Sequence, residues 1–311
     1  MATDNGTPNI RYFTEANSEE QVIARITHPK GERFREIMIS LIGHLHALIK
    51  DTELTQEEWD NAIDFLTRTG QKCDASRQEY ILLSDTLGVS MLVDAINHRK
   101  HGGATENTVL GPFYVADAPI REMGANINLD GKGLPLFMSG KVINIHGNPI
   151  AGALIDTWMT NEDGFYDVQQ PAIQPKFNLR GRFYTKENGA YWFRGARPRY
   201  YPLPTDGPVG EMLLAMGRHP YRPAHIHFIV NAPGYIPVTT HVFMRGDIYL
   251  ESDAVFGVKE SLIIDFIEKD DPGEAARLGV ATPFCTANFD FVLQKEGDGS
   301  SGLFLPTDSS T

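Results

Sequence analysis

Two histidines alternate along a short segment that has the pattern of a β-strand. Residues 224–230 are rich in β-branched and aromatic side chains and are bounded by Pro223 and by the turn-forming residues 231–234. Side chains at i and i+2 of a strand point to the same face, so His225 and His227 can converge on one metal ion. Two neutral imidazoles suit zinc, copper, nickel or iron. A purely structural role for the pair is the alternative interpretation.

Tyrosines in two preceding loops narrow the chemistry. Tyr166 ends a Gly-Phe-Tyr sequence, and Tyr201 lies in an Arg-Tyr-Tyr-Pro sequence. No Cys-X-X-Cys sequence is present, which argues against a thiolate zinc site. A phenol has a pKa of about 10 and becomes a ligand only when a strongly acidic cation such as Fe(III) removes its proton. A ferric site with two phenolates suits a chelating, catechol-like substrate.

The composition excludes several other classes of protein. The chain has 311 residues, with 28 basic and 40 acidic side chains and a formal net charge of −12. An acidic chain without a basic cluster repels phosphate backbones, so we expect no nucleic-acid partner. No apolar run is long enough for a membrane span. Cys73 and Cys285 lie far apart in the sequence, which excludes a disulfide framework and predicts a cytoplasmic location.

Helical periodicity dominates the first hundred residues. Apolar residues recur at helical spacing over residues 34–49. A capping-box sequence at Thr55 predicts the start of a second helix. Another at Ser76 predicts a third helix that continues through Ile96.

Short strands separated by Gly and Pro turns follow the helices. Residues 137–145 and 153–158 have strand patterns, and residues 181–193 contain two more strands joined by an Asn-Gly pair. Since Asn-Gly supplies the positive φ of a tight turn, this last segment predicts a β-hairpin. The chain is therefore predicted to be an α+β protein, with helices followed by an antiparallel β-sandwich.

Over about residues 25–295 the sequence resembles the intradiol ring-cleaving dioxygenases, the catechol 1,2-dioxygenase superfamily. Tyr201 stands 24 residues before His225, which is the separation expected of that family. The other matching segments are Gly164-X-Tyr166, residues 177–180 (Phe-Asn-Leu-Arg), residues 222–227 (Arg-Pro-Ala-His-Ile-His) and residues 246–250 (Gly-Asp-X-Tyr-Leu).

The resemblance implies one Fe(III) per subunit, an aromatic diol or triol substrate, and O2 as the second substrate. Matching motif positions make Tyr166, Tyr201, His225 and His227 the iron ligands. Tyr201 also has a catalytic role, because it helps to remove the protons of the substrate. Arg222 is implied to stabilise charge that develops on the substrate, and a surface or salt-bridging arginine is the alternative interpretation.

The same resemblance organises the chain into domains. It implies a helical domain that forms a homodimer, often with bound phospholipid, and a β-sandwich that carries the iron. We assign residues 1–20 to a flexible N-terminus, 21–103 to the helical dimerisation and linker domain, 104–295 to the catalytic β-sandwich and 296–311 to a flexible tail.

Three features resemble the hydroxyquinol branch of the family more than the catechol branch. They are the loop at residues 202–210, the segment at residues 253–259, and His241, where catechol enzymes tend to carry Gln. His241 is implied to act catalytically by polarising the bound intermediate. Hydroxyquinol is benzene-1,2,4-triol, and insertion of both atoms of O2 between its adjacent hydroxyls gives 3-hydroxy-cis,cis-muconate or maleylacetate.

A carboxylate on the third predicted helix supports this choice of substrate. Leu82 and Asp85 share one helix face at i and i+3, where Asp85 can accept a hydrogen bond from a third ring hydroxyl. A solvated helix residue is the alternative interpretation of Asp85. The other positions that match pocket-lining residues of the family are Val109, Gly111, Pro112, Phe113, Leu203, Pro204 and Val255.

Other functions remain open at this point. Within the family, the chain is alternatively a catechol or chlorocatechol 1,2-dioxygenase that yields cis,cis-muconates. Outside it, the histidines suit a colourless zinc hydrolase or lyase, or a non-enzymatic β-sandwich that binds a transported molecule or lipid. Visible colour from tyrosinate–iron bonding separates the ferric reading from these last two.

Overall fold

A computed structural model describes residues 12–74 and 77–297. The chain divides into two compact units, one that extends to Arg68 and one that begins at Thr69. The domain boundary at residue 103 therefore stays a prediction. Within the described ranges, no helix is long and apolar enough to cross a membrane.

The first unit is helical. The helices are α1 (Ser18–Ile23), α2 (Glu32–Thr52) and α3 (Gln56–Gln71), the last of which continues past the unit boundary. The predicted capping box is confirmed, because the Thr55 backbone N–H donates to Glu58 Oε2 (2.9 Å) and the Glu58 N–H donates to Thr55 Oγ1 (3.3 Å). Helix α1 begins inside the segment predicted to be flexible. Most of the remaining predicted flexible ends lie outside the described residues.

The third predicted helix is two helices in the structure, and the prediction of one continuous helix was wrong. Helix α4 (Glu79–Thr86) and helix α5 (Val89–Asn97) are separated at Gly88, whose φ of +73° is left-handed. A residue in this conformation ends an α-helix, and glycine adopts it without steric cost. Ser76 of the predicted capping box lies outside the described residues, and Gln78 is the N-cap residue of α4.

The second unit contains the strands and two further helices. The helices are α6 (Pro208–Ala215) and α7 (Pro272–Leu278), and two 3₁₀ helices span Asp167–Gln169 and Glu260–Leu262. The strands in chain order are β1 (Pro135–Asn144), β2 (Leu154–Met159), β3 (Arg180–Tyr184), β4 (Ala190–Ala196), β5 (Tyr201–Pro202), β6 (Tyr221–Arg222), β7 (His225–Asn231), β8 (Val238–Met244), β9 (Ile263–Ile264), β10 (Phe266–Lys269), β11 (Phe284–Asn288) and β12 (Phe291–Leu293).

Two five-stranded sheets pack against each other as a β-sandwich, as the sequence predicts. One sheet has the order β3-β2-β7-β8-β9, and in the other β1 is flanked by β4 on one side and by β11 and β12 on the other, with β10 outside β11. Their facing side chains form one buried core, in which Phe183 stacks on Phe193 with ring centroids 5.4 Å apart. The sheets are mixed rather than wholly antiparallel, since β1 runs parallel to β11 and β12, and β8 runs parallel to β9.

The predicted hairpin at residues 181–193 is also corrected. The turn forms, with Gly189 at φ +74° and a hydrogen bond of 2.9 Å from the Lys186 N–H to the Ala190 carbonyl. The two flanking strands then separate, because β3 pairs with β2 in one sheet while β4 pairs with β1 in the other. An Asn-Gly pair encodes a reversal of the chain but does not encode which strands will pair.

A glycine in β1 allows the segment between β11 and β12 to approach this strand closely. Gly140 lies between the residues of β1 that pair with β11 and those that pair with β12, and a Cβ there would overlap the carbonyl oxygen of Phe289. We expect Gly140→Ala to lower the free energy of unfolding by about 3 kcal/mol, or roughly 6–12 °C in the midpoint of thermal unfolding. The neighbouring exposed residue gives the control: Lys141→Ala should change the midpoint by less than about 2 °C. Equal midpoints for the two variants would contradict this account.

Candidate metal centre and active site

Three buried histidines meet on adjacent strands of one sheet. His225 and His227 lie at i and i+2 on β7, and His241 on β8 is the direct cross-strand partner of His227. The three side chains each offer a ring nitrogen, and these nitrogens lie within 4.8 Å of one another. The Nε2 atoms of His225 and His227 are 3.1 Å apart. The structure thus brings the two predicted ligands together and adds His241 to the cluster.

Both predicted tyrosines border this cluster. The Tyr166 hydroxyl is 2.8 Å from His227 Nε2, and the Tyr201 ring centroid is 5.7 Å from that of His225. The two tyrosine rings meet edge to face at 5.4 Å. Gly164 permits the close approach of the first loop, because a Cβ there would lie 2.8 Å from the carbonyl oxygen of Tyr200.

Aromatic side chains pack against these histidine and tyrosine rings. Trp158 on β2 is the cross-strand partner of His227, and its ring stacks on the imidazole at 4.6 Å with an interplanar angle of 13°. Phe113 stacks on Tyr166 at 4.6 Å. Gly111 leaves room for the imidazole, since a Cβ there would be 3.2 Å from His227 Cε1.

The hydrogen bonds of His225 and His241 each use one ring nitrogen and leave the other nitrogen available as a metal ligand. His225 Nδ1 is 2.7 Å from the Pro223 carbonyl, and His241 Nδ1 is 2.6 Å from Thr108 Oγ1. A ring N–H that donates to a carbonyl fixes the tautomer and directs the other nitrogen toward a metal. Within the described part of the chain, His241 Nε2 is buried without a hydrogen-bond partner. His227 Nε2 faces the cluster, where it is 2.8 Å from the Tyr166 hydroxyl, and the Nδ1 atom of the same ring is buried without a partner.

The electrostatic environment also suits a metal. Burial, together with the nearby Arg222 cation, lowers the pKa of His225 to about 3. Burial likewise lowers the pKa values of His227 and His241 well below the usual range, so all three imidazoles are neutral. Burial, reinforced by Tyr201, raises the pKa of Tyr166 well above its usual value. The residues present therefore fit a metal ion, and only a strongly acidic cation would make Tyr166 a phenolate.

Charged and apolar residues form a wall beside the cluster. Arg222 on β6 is the cross-strand partner of Tyr201 and pairs with Asp253. Asp85 on α4 is 8% exposed, and burial raises its pKa while a hydrogen bond from Ser90 and the Arg222 cation oppose that rise. An apolar cluster beside α4 contains Leu82, Leu203, Leu213, Ala254 and Val255.

The structure brings most of the predicted pocket residues together. Leu82, Leu203 and Val255 share one cluster. Gly111 lies beside the His227 ring, and Phe113 stacks on Tyr166. Asp85 is buried, so its interpretation as a solvated helix residue was wrong. Val109 and Pro204 are partly exposed and Pro112 is exposed, and their role in the pocket stays a prediction.

Fold and site together define a class of protein: a mixed β-sandwich, preceded by helices, with a buried histidine and tyrosine cluster that suits a metal. The comparison with protein families agrees. Residues 109–295 match the family described as "Dioxygenase", and residues 31–105 match "Catechol dioxygenase N terminus".

Individual relatives agree with the family match. The chain is 57% identical over 285 residues to hydroxyquinol 1,2-dioxygenase of Rhizobium sp. (strain MTP-10005), which covers 91% of this chain and 97% of that protein. It is 48% identical over 262 residues to 6-chlorohydroxyquinol 1,2-dioxygenase of Cupriavidus pinatubonensis, with 84% and 95% covered. The solved structure of hydroxyquinol 1,2-dioxygenase from Pseudomonas putida DLL-E4 superposes with a TM-score of 0.86 at 47% identity and covers 90% of this chain and 98% of that one. The chain belongs to the intradiol ring-cleavage dioxygenases.

Sequence reasoning missed several residues around the site. Trp158 and Thr108 reach the histidines only through tertiary contacts, and no local pattern marks either of them. Asp253 lay in a segment that resembled the hydroxyquinol branch, but nothing in the sequence identified it as the partner of Arg222.

Metal content separates the two possible ligand sets. We expect His225→Ala and His227→Ala each to lower bound metal at least tenfold, because both sets need these imidazoles. His241→Ala should keep near-stoichiometric metal if two tyrosines complete the site, and should lose it if the three histidines hold the ion. Elemental analysis after dialysis measures this, with the exposed helix residue His98→Ala as the control. Full metal content in both the His225 and His227 variants would contradict a site at this position.

Proposed function

We propose that this enzyme cleaves the ring of hydroxyquinol between its adjacent hydroxyls, using both atoms of O2, to give 3-hydroxy-cis,cis-muconate or maleylacetate. The observation that carries the proposal is the buried carboxylate of Asp85, beside Arg222 and at the edge of an apolar cluster. Asp85 accepts a hydrogen bond from Ser90, and a carboxylate has further acceptor positions that the third ring hydroxyl can fill. Leaving such a buried position unfilled is costly, so it discriminates against rings that lack this hydroxyl. Relatives named for hydroxyquinol and chlorohydroxyquinol cleavage support the same substrate class.

We propose that the metal is Fe(III), one per subunit, held by Tyr166, Tyr201, His225 and His227. The two neutral imidazoles and the two phenols around them support this set. A ferric ion held there would supply a Lewis acid that two adjacent ring oxygens can chelate, and it would make the electron-rich ring reactive toward O2.

The side chains of the site then remove a proton from the substrate, stabilise the charge that develops on it and exclude water. The phenolate oxygen of Tyr201, which a ferric ion would keep deprotonated, would accept a proton from a substrate hydroxyl and so become a neutral phenol. Arg222 donates hydrogen bonds to charge that develops on the ring oxygen, in a site where burial strengthens such contacts. His241, held by its contact with Thr108, presents Nε2 to polarise the bound intermediate. The apolar wall of Leu82, Leu203 and Val255 excludes water from the ring.

Substitution of Asp85 tests the substrate. We expect Asp85→Ala to lower kcat/KM for hydroxyquinol about 100-fold and to change kcat/KM for catechol by less than about threefold, because only the triol has the hydroxyl that Asp85 binds. Asp60→Asn, which removes an exposed helix carboxylate, should change neither value. An unchanged ratio of the two kcat/KM values in the Asp85 variant would contradict the proposed contact.

An anaerobic titration with hydroxyquinol, in the same enzyme preparations, tests the ferric ring-cleavage reaction independently of the Asp85 contact. A coloured protein should shift its visible absorption when hydroxyquinol is added, and should recover it as ring-opened product forms on admission of O2. A colourless protein that holds stoichiometric zinc would overturn the ferric assignment.

We also propose that the chain forms a homodimer through its N-terminal helices, with phospholipid bound at the same surface. The support is an apolar stripe on α2 that remains exposed within the first unit. Its members, which are 40–56% exposed, are Phe34, Ile37, Leu41, Leu45, Leu48 and Ile49. Such a continuous apolar face is typical of an interaction surface.

The proposed cytoplasmic location is supported by Cys73 and Cys285, which are free thiols.

The dimer is tested by a charge placed in this stripe. We expect Leu41→Glu with Leu45→Glu to raise the dissociation constant at least 100-fold, because two carboxylates would lose their hydration at the interface. Light scattering after size exclusion gives the mass. Glu36→Gln, on the exposed and charged part of the same helix, is the control. Mass spectrometry of an organic-solvent extract of the purified protein tests for bound phospholipid. A dimer of unchanged stability would contradict the proposed surface.

A further inference from the structure

Arg222 is held by a buried carboxylate that does not belong to the ligand set. Its Nε donates to Asp253 Oδ1 (3.0 Å) and its Nη2 donates to Asp253 Oδ2 (3.2 Å), so the pair is bidentate. The side chain of Arg222 is 3% exposed and that of Asp253 is 2% exposed. Among the described residues, no partner bonds to Nη1 of Arg222, so both N–H groups of this nitrogen remain for a substrate, together with the second N–H of Nη2.

The carboxylate is itself fixed by its own segment. The Val255 N–H donates to Asp253 Oδ1 (3.3 Å) and the Gly257 N–H donates to Asp253 Oδ2 (2.9 Å). The segment is tied to β6 by a hydrogen bond of 3.1 Å from the Ala254 N–H to the Tyr221 carbonyl. Four donors therefore hold one carboxylate, which leaves it little freedom to rotate.

Gly257 provides the space that the ion pair occupies. A Cβ on Gly257 would lie 2.8 Å from Arg222 Nη2 and 3.1 Å from Asp253 Oδ2. The backbone of Gly257 does not have a positive φ, so the requirement for glycine here comes from close approach and not from backbone strain. Any larger side chain would displace the guanidinium or the carboxylate.

We propose that Asp253 is a positioning residue for catalysis. It holds one edge of the Arg222 guanidinium, so that Nη1 faces the charge that develops on the substrate at a fixed angle. This inference rests on the proposed role of Arg222. A flexible, buried arginine would lose directed hydrogen bonding even though it kept its charge, and a small displacement of a catalytic group costs about 100-fold in rate.

Orientation and charge predict opposite effects when Asp253 is neutralised. Asp253→Asn removes one negative charge, so the net positive charge beside the substrate increases. If charge alone mattered, kcat would rise or stay constant. Since Asn presents an amide N–H₂ to one guanidinium nitrogen, the bidentate geometry is lost, and the positioning role predicts a fall in kcat.

The experiment compares iron-loaded Asp253→Asn, Arg222→Ala and the double variant. We expect Asp253→Asn to lower kcat about 100-fold, while anaerobic affinity for hydroxyquinol, followed by visible absorbance, changes less than about threefold. In the Arg222→Ala background the same substitution should change kcat less than about threefold, because a residue that acts through Arg222 has nothing left to position. A purely structural role would lower kcat by similar factors in both backgrounds.

Two further variants keep the test decisive. Gly257→Ala perturbs the same ion pair without altering its charge, and we expect it to lower kcat at least tenfold; it decides the question if Asp253→Asn does not fold. Asp265→Asn removes the partner of Arg245 from an exposed ion pair with the same Nε–Oδ1 contact (2.9 Å), and it should leave kcat unchanged.

The outcomes separate this inference from the proposed function. Full activity in Arg222→Ala would overturn the proposed role of Arg222 and, with it, the inference. A large loss in Arg222→Ala combined with normal kcat in Asp253→Asn and Gly257→Ala would overturn the inference alone. Equal losses from Asp253→Asn in both backgrounds would assign Asp253 to stability and would also overturn it.

Discussion

The pairing register of β7 is the constraint on which the active site depends. This register places His227 between Trp158 on one neighbouring strand and His241 on the other, and it directs His225 to the same face. Because side chains alternate along a strand, a slip of one residue would turn both histidines toward the opposite face and remove the metal site altogether. The apolar residues that alternate with them, Ile226 and Phe228, belong to the core between the sheets, so burial of that core fixes the register.

The polar groups of the site are buried, and their loss of contact with water costs free energy. Hydrogen bonds within the site offset part of this desolvation cost. Burial keeps the imidazoles neutral, whereas two buried arginines are each paired with a carboxylate: Arg222 with Asp253, and Arg180 with Asp167 beside Tyr166. An unpaired buried charge is strongly destabilising, so each cation near the ligands has its own carboxylate. Among the buried atoms without hydrogen-bond partners in the described residues, two lie on histidines of the cluster: His241 Nε2 and His227 Nδ1.

The pocket is assembled from segments that are distant in sequence and joined by one arginine. Arg218 donates to the carbonyl of Thr86 at the end of α4 (2.5 Å) and to the carbonyl of Ala254 (2.9 Å), and its guanidinium lies 4.8 Å from the centre of the Phe256 ring. Phe256 also packs against the turn between α4 and α5, since a Cβ on Gly88 would lie 3.4 Å from that ring, an ordinary van der Waals distance. The wall that carries Asp85 and the segment that carries Asp253 are therefore held as one unit.

The sequence by itself determined the local features of this protein. Alternation along one strand predicted that His225 and His227 share a face, apolar periodicity and Thr55 predicted the early helices, and family motifs predicted the tyrosines. Tertiary structure alone decided that β3 and β4 join different sheets, that the third helix breaks at Gly88, and that Trp158, Thr108 and Asp253 reach the site. Periodicity and turn residues report a conformation and the face that is buried. The choice of partner depends on contacts between segments far apart in the sequence, such as Thr108 and His241, which are 133 residues apart, and these form only when the whole core packs.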